Sequence, residues 1–133
     1  MKKVALLIIS ILFINIVLAQ TDSAQKMAPE KIFTIVEQMP EYTGGEKELF
    51  KFIQMNVQYP AMERDNHIQG TVIVGFVINE DGSVRDLEIK KSVSVGLDKE
   101  AQRVVKKLKF NPGMQAGETV KVSYKVPVDF ILK

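Results

Sequence analysis

The chain is 133 residues long, enough for one domain, with 18 basic against 16 acidic residues and a net charge of +2. Hydrophobic residues make up 46% and charged residues 26%, a globular balance that excludes a disordered or fibrous chain. The absence of cysteine excludes disulfide frameworks, thiolate metal sites and cysteine nucleophiles, and the single histidine, His67, excludes any two-histidine metal motif.

Met1-Lys2-Lys3 is a short basic start, and Val4 to Ala19 is a run apolar except for Ser10 and Asn15. Val17-Leu18-Ala19 suits a cut after Ala19. Residues 1–19 therefore read as a secretory signal peptide, with retention as an uncleaved membrane anchor as the alternative. Loss of Lys2 and Lys3 with the signal leaves a neutral mature chain, which has no net field to steer nucleic acid. Residues 20–45 read as a polar N-terminal tail and lead-in. They contain a β-prone run at Ile32-Phe33-Thr34-Ile35-Val36 and breaks at Pro40 and Gly44-Gly45.

Glu46 to Asn56 has helical spacing, with Leu49, Phe52 and Ile53 on one face and Glu46 and Glu48 in the first turn. Tyr59-Pro60 ends that stretch, and Pro60 opens a second short helix that stops by Gly70. Thr71 to Ile78 is apolar on both faces, as expected of a strand inside a sheet. Asn79-Glu80-Asp81-Gly82-Ser83 is a hairpin signal, and Val84 to Lys91 returns with one wet face. Leu97 to Phe110 reads as a helix with Asp98 as its N-cap and a stripe of Leu97, Ala101, Val104, Val105 and Leu108. From Val120 onward the alternation is unbroken. Val120, Val122, Tyr124, Val126, Val128 and Phe130 take one face, and Lys121, Ser123, Lys125, Pro127 and Asp129 the other. Pro127 and the lysines argue that this strand lies at a sheet edge. The fold class is α+β: two layers, a three-stranded antiparallel sheet with helices packed on one face.

Chemistry is scarce. Asn79, Asp81 and Gly82 suggest a calcium loop but lack its repeating acidic pattern, so a plain turn is the better account. His67 reads as a solvated or capping side chain, Ser92 and Ser94 as loop residues, and Asp98 and Glu100 as helix-start charges. Lys106, Lys107 and Lys109 form a solvated face without the interleaved aromatics that single-strand binding needs. No catalytic residue, metal or cofactor is expected, and the chain does not read as an enzyme. Tyr59-Pro60 leaves two readings open. Either Tyr59 packs on the core in a helix-opening turn, or the extended Val57 and Gln58 lie within reach of a peptide partner.

Several blocks in order carry a resemblance. They are Gln58-Tyr59-Pro60-Ala61, Gly70-Thr71-Val72 with Phe76-Val77, Asp81-Gly82-Ser83-Val84, Leu97-Asp98 with Ala101, Phe110-Asn111-Pro112 with Gly117, and Val126-Pro127-Val128-Asp129-Phe130. Together they resemble the TonB C-terminal domain family over residues 46–133. The resemblance implies a periplasmic protein that binds an extended segment, the TonB box, of an outer-membrane TonB-dependent receptor by β-strand addition. It also implies coupling to an inner-membrane proton-driven motor if the N-terminus is anchored. Carried onto this chain, the partner-binding residues are Gln58, Tyr59 and Pro60 with the strand Lys121, Val122, Ser123, Tyr124, Lys125 and Val126. On this reading Val122→Pro removes a rim amide and weakens peptide binding while the domain stays folded. An exposed edge also permits a strand-paired homodimer. The reading of a different class is a soluble periplasmic interaction or scaffold module of the same fold without energy transduction.

Overall fold

Two apolar strands far apart in sequence find each other and organise the domain. The computed structural model describes residues 30–133, so the signal-or-anchor segment and most of the tail lie outside the described residues. Strand β3 (Gly70–Ile78) lies antiparallel to β7 (Glu118–Phe130), with Gly70 opposite Phe130 through to Ile78 opposite Val122 and no shift of register. β4 (Val84–Lys91) pairs with the other edge of β3, so β3 is interior, as its two apolar faces predict.

Val126, Val128 and Phe130 of β7 are buried together with Val72, Val74, Phe76 and Ile78 of β3, and Val122, also buried, lies against Gly113. Helix α1 (Glu46–Asn56) contributes Leu49 and Ile53 to that core. Helix α3 (Val95–Val105) contributes Leu97, Ala101, Val104 and Val105, the stripe expected from their spacing. Short helix α2 (Ala61–Asp65) follows Pro60. The opposite side of β7 exposes Ser123, Lys125, Pro127 and Asp129. The result is the α+β arrangement of helices on one sheet face.

The strand count exceeds the three expected. β1 (Ile32–Phe33) runs parallel to β7, β6 (Gly113–Gln115) pairs with the start of β7, and β2 (Glu41–Tyr42) pairs with β5 (Phe110–Asn111) as a separate ribbon. Elements of two or three residues carry no period to read; distant partners define them. Helix α3 also starts earlier than expected. Ser94, not Asp98, is its N-cap and accepts a hydrogen bond from the Leu97 amide at 3.2 Å. Asp98 reaches back instead to the Val93 amide (3.0 Å) and the Ser92 hydroxyl. The helix stops at Val105, and Leu108 and Phe110 enter the core from non-helical backbone.

The β3–β4 turn explains where Phe110 goes. Gly82 has φ +87, and its carbonyl accepts the Phe110 amide at 2.9 Å. Asp81 accepts the amide and hydroxyl of Ser83, and these bonds hold its carboxyl below the usual carboxylate range. No calcium-loop geometry is needed to account for these residues. Phe110, so positioned, meets Tyr42, Phe76 and Tyr124 at ring separations of 5.9, 5.8 and 5.5 Å.

Candidate functional site

A proline in the last strand identifies which backbone groups are free. Pro127 lies opposite Ile73, and a proline has no N–H to give in a mutually bonded pair. That pair is therefore of the non-bonded kind, and Pro127 turns its nitrogen and carbonyl away from β3. With the register unbroken, the orientation alternates along β7. The amides of Val122, Tyr124, Val126, Val128 and Phe130 face β3. Those of Ser123, Lys125 and Asp129, with the Pro127 carbonyl, face the other edge.

That other edge is filled at both ends. β1 occupies it at Lys121 and Val122, opposite Ile32 and Phe33. Near the far end, the Gln54 amide of α1 reaches the Asp129 carbonyl at 3.5 Å. Between them, Phe33, paired in parallel with Val122, takes the Ser123 amide on its carbonyl, and the Ser123 carbonyl, the Lys125 amide and carbonyl and the Pro127 carbonyl have no strand partner among the described residues on that side. The edge reading of the last strand thus holds for this stretch and not for its beginning. Of the expected strand residues, Lys121 and Val122 sit under β1, and Ser123, Tyr124, Lys125 and Val126 lie on the open stretch.

Side chains divide along the same rim. Ser123 and Lys125 are exposed on the helix-free face. Lys121 is ion-paired with Glu80. Tyr124 lies half-buried on the core side, 6.0 Å from the Phe76 ring. Burial, and then the charge of Glu46, pushes its phenol pKa up, so it stays neutral near pH 7.

Gln58, Tyr59 and Pro60 lie elsewhere. The Tyr59 ring packs edge-on against Phe130 at 5.6 Å, and its hydroxyl donates to the Ile68 carbonyl. Since Phe130 stands five positions beyond Lys125, Tyr59 packs against the strand roughly 17 Å from the middle of the open rim. A cleft of about 340 Å³ beside Gln58-Tyr59-Pro60 is otherwise walled by Gly96, Lys99, Glu100 and Arg103 of α3. The two groups of expected site residues therefore belong to separate surfaces. Tyr59→Ala is expected to cost about 3 kcal/mol of stability, read as a lower urea midpoint. Loss of peptide binding at an unchanged midpoint would contradict the core role.

Glu100 and Arg103 were read from sequence only as a helix-start charge and an unremarked base. In the structure they strap α3 to the chain before α2. Arg103 grips Glu100 through bonds of 2.6 and 2.7 Å and donates to the Asn56 carbonyl at 2.9 Å, while Glu100 accepts the Gln58 amide. The signal available in the sequence was the i, i+3 spacing of opposite charges. Burial pushes the Glu100 carboxyl up, but the bonds from Arg103 and Gln58 outweigh it and leave the group below its ordinary value. A lowered folded-state pKa adds stability that is complete above the unfolded value near 4.5 and is lost as pH falls through the folded value. Glu100→Gln is therefore expected to lose about 1–2 kcal/mol at pH 7. Its deficit against the unmodified chain should shrink as the pH is lowered below 4.5 in paired urea melts.

A family model described as "Gram-negative bacterial TonB protein C-terminal" matches residues 55–132. The TonB C-terminal domain of Helicobacter pylori, solved by NMR, is 31% identical with a TM-score of 0.51, covering 65% of this chain and 92% of that one. A longer form of the same domain is 30% identical with a TM-score of 0.48, over 68% and 86% of the two chains. The corresponding Pseudomonas aeruginosa domain is 28% identical with a TM-score of 0.44, over 58% and 81%. No curated protein sequence matches. The chain belongs to the TonB C-terminal domain family. Domains of this family are non-enzymatic interaction modules of the bacterial envelope with a role in contacting outer-membrane receptors.

Proposed function

We propose that this protein binds an extended peptide segment, the TonB box of an outer-membrane TonB-dependent receptor, by adding it as a strand to the rim of β7 between Val122 and Pro127. The observation that carries this reading is the open row formed by the Ser123 carbonyl, the Lys125 amide and carbonyl and the Pro127 carbonyl. It is bounded by β1 on one side and by the missing N–H of Pro127 on the other. Main-chain bonding supplies affinity, and the alternating side chains supply selectivity. Amide hydrogen exchange on the full chain tests it. A receptor TonB-box peptide should slow exchange at Lys125 well beyond any change at Ser123, whose amide already bonds β1, or at Val126 or Val128, whose amides already bond β3. Uniform protection, or protection only around Gln58, would contradict it.

In the periplasm such a domain transmits force only if residues 1–19 remain as an anchor to an inner-membrane motor. Sequencing the N-terminus of the exported protein separates the cases. Met1 retained supports transduction, whereas a start at Gln20 leaves a module that binds without pulling.

A further inference from the structure

The only aromatic ring beside Lys106, Lys107 and Lys109 in sequence is Phe110, and it is buried. The fold brings a second ring to them. β2 pairs with β5 so that Tyr42 lies opposite Phe110, and this ribbon borders a cleft of about 340 Å³ lined by Tyr42, Thr43, Lys107, Lys109, Phe110 and Asn111. Leu108 between the two lysines is buried, while both lysines are exposed along the cleft. Lys106 is the C-cap of α3, and Lys99 stands seven residues earlier on the same face, about 10 Å along the axis. Together the four form a ridge that runs down α3 and ends in the cleft.

The charge of this ridge is not cancelled by ion pairs. Among the described residues, no carboxylate lies within salt-bridge distance of Lys99, Lys106, Lys107 or Lys109. The carboxylates that feel Lys107 and Lys109 are bonded elsewhere: Glu100 to Arg103 and the Gln58 amide, and Asp81 to Ser83. Lysine ammoniums are point charges that suit phosphate oxygens, whereas bidentate capture of a carboxylate is the work of arginine. The arginine here, Arg103, is held by Glu100, and the neighbouring rings of Tyr42 and Phe110 are half-buried and buried. The side chains on which protein interfaces concentrate their energy are thus already engaged.

We propose that the lysine ridge of α3 and the cleft at its end bind the phosphate headgroups of an anionic phospholipid surface. Lys107 and Lys109 take one headgroup phosphate in the cleft beside Tyr42, and Lys99 and Lys106 meet neighbouring headgroups. Each lysine held near such a surface is worth roughly fivefold in affinity. α3 packs against β3 and β4, so this contact uses none of the open edge of β7 and does not depend on strand addition.

Acetylation footprinting of lysines on the full chain tests it. Vesicles of phosphatidylcholine with about one-third phosphatidylglycerol should slow labelling of Lys107 and Lys109 roughly fivefold or more. Lys90 and Lys91 of β4 are the internal controls and should label at the same rate throughout. The Lys90 stem crosses Gly75 of β3 on the helix-free face, where a Cβ would come within 2.7 Å of its Cε. Pure phosphatidylcholine vesicles should protect none of these lysines, and about 0.5 M salt should erase the protection. A Lys107→Glu/Lys109→Glu variant with an unchanged circular dichroism spectrum should lose the protection at Lys99 and Lys106 as well. Equal protection by pure phosphatidylcholine, equal protection of Lys90 and Lys91, or protection of Lys99 and Lys106 that survives in the variant would overturn the proposal. So would full protection by inorganic phosphate alone, which marks a small-anion site, or stronger protection by poly-glutamate at matched charge, which marks an acidic protein as the partner.

Discussion

Gly82→Ala is expected to lower stability by about 3 kcal/mol or more, a fall of roughly 15 °C or more in Tm for a domain of this size. Two effects add. Gly82 sits at φ +87, where a side chain is strained. An added Cβ would also overlap the Phe110 carbonyl oxygen, a backbone atom that no rotamer change can move aside. Relief requires parting the turn from Phe110, and with it the rings of Tyr42, Phe76 and Tyr124 that meet there. Gly117 is the natural control, since it too has positive φ (+78) but nothing within 4 Å of an added Cβ. Gly117→Ala should cost only about 1 kcal/mol, from backbone strain alone. Equal Tm losses for the two variants would show that the Gly82–Phe110 contact does not matter.

Val122→Pro is expected to abolish cooperative folding, contrary to what side-chain alternation alone suggests. The Val122 amide faces Ile78 of β3, and its side chain is fully buried. Proline there removes a ladder donor, leaves the Ile78 carbonyl unpaired in the core and forces its ring against β3, at about 3 kcal/mol or more. The expected readout is a non-cooperative melt and collapsed amide dispersion in the NMR spectrum. A sharp transition near the parent Tm would mean that the amide parity assigned to β7 is wrong. Pro127 shows where the strand does accept proline: at the odd positions, whose nitrogens point outward.

That contrast marks what the sequence could convey. Alternation from Val120 to Phe130 told which side each β7 side chain takes, because burial follows a period of two. It could not tell which edge each amide faces, since that depends on the register against β3, some fifty residues away. The Leu97–Val105 stripe was legible for the same periodic reason, and Ser94 was missed as cap because the first apolar position of the stripe is not the first helical residue. β1 was visible as a β-prone run, yet its place on β7 was not, and that place shifts the open rim from Lys121–Val126 to Ser123–Pro127. Gly75 and Lys90 gave no local signal at all; their relation exists only across paired strands.

Lys125→Pro tests the central claim most directly, by fluorescence anisotropy of a receptor TonB-box peptide against the folded variant. Proline at this outward-facing position repeats what β7 already tolerates at Pro127, so Tm should stay within about 5 °C of the parent. Losing the rim amide and placing a ring in the guest's path should weaken binding roughly tenfold or more. An affinity equal to that of the unmodified chain, in a variant that melts normally, would contradict strand addition at this rim.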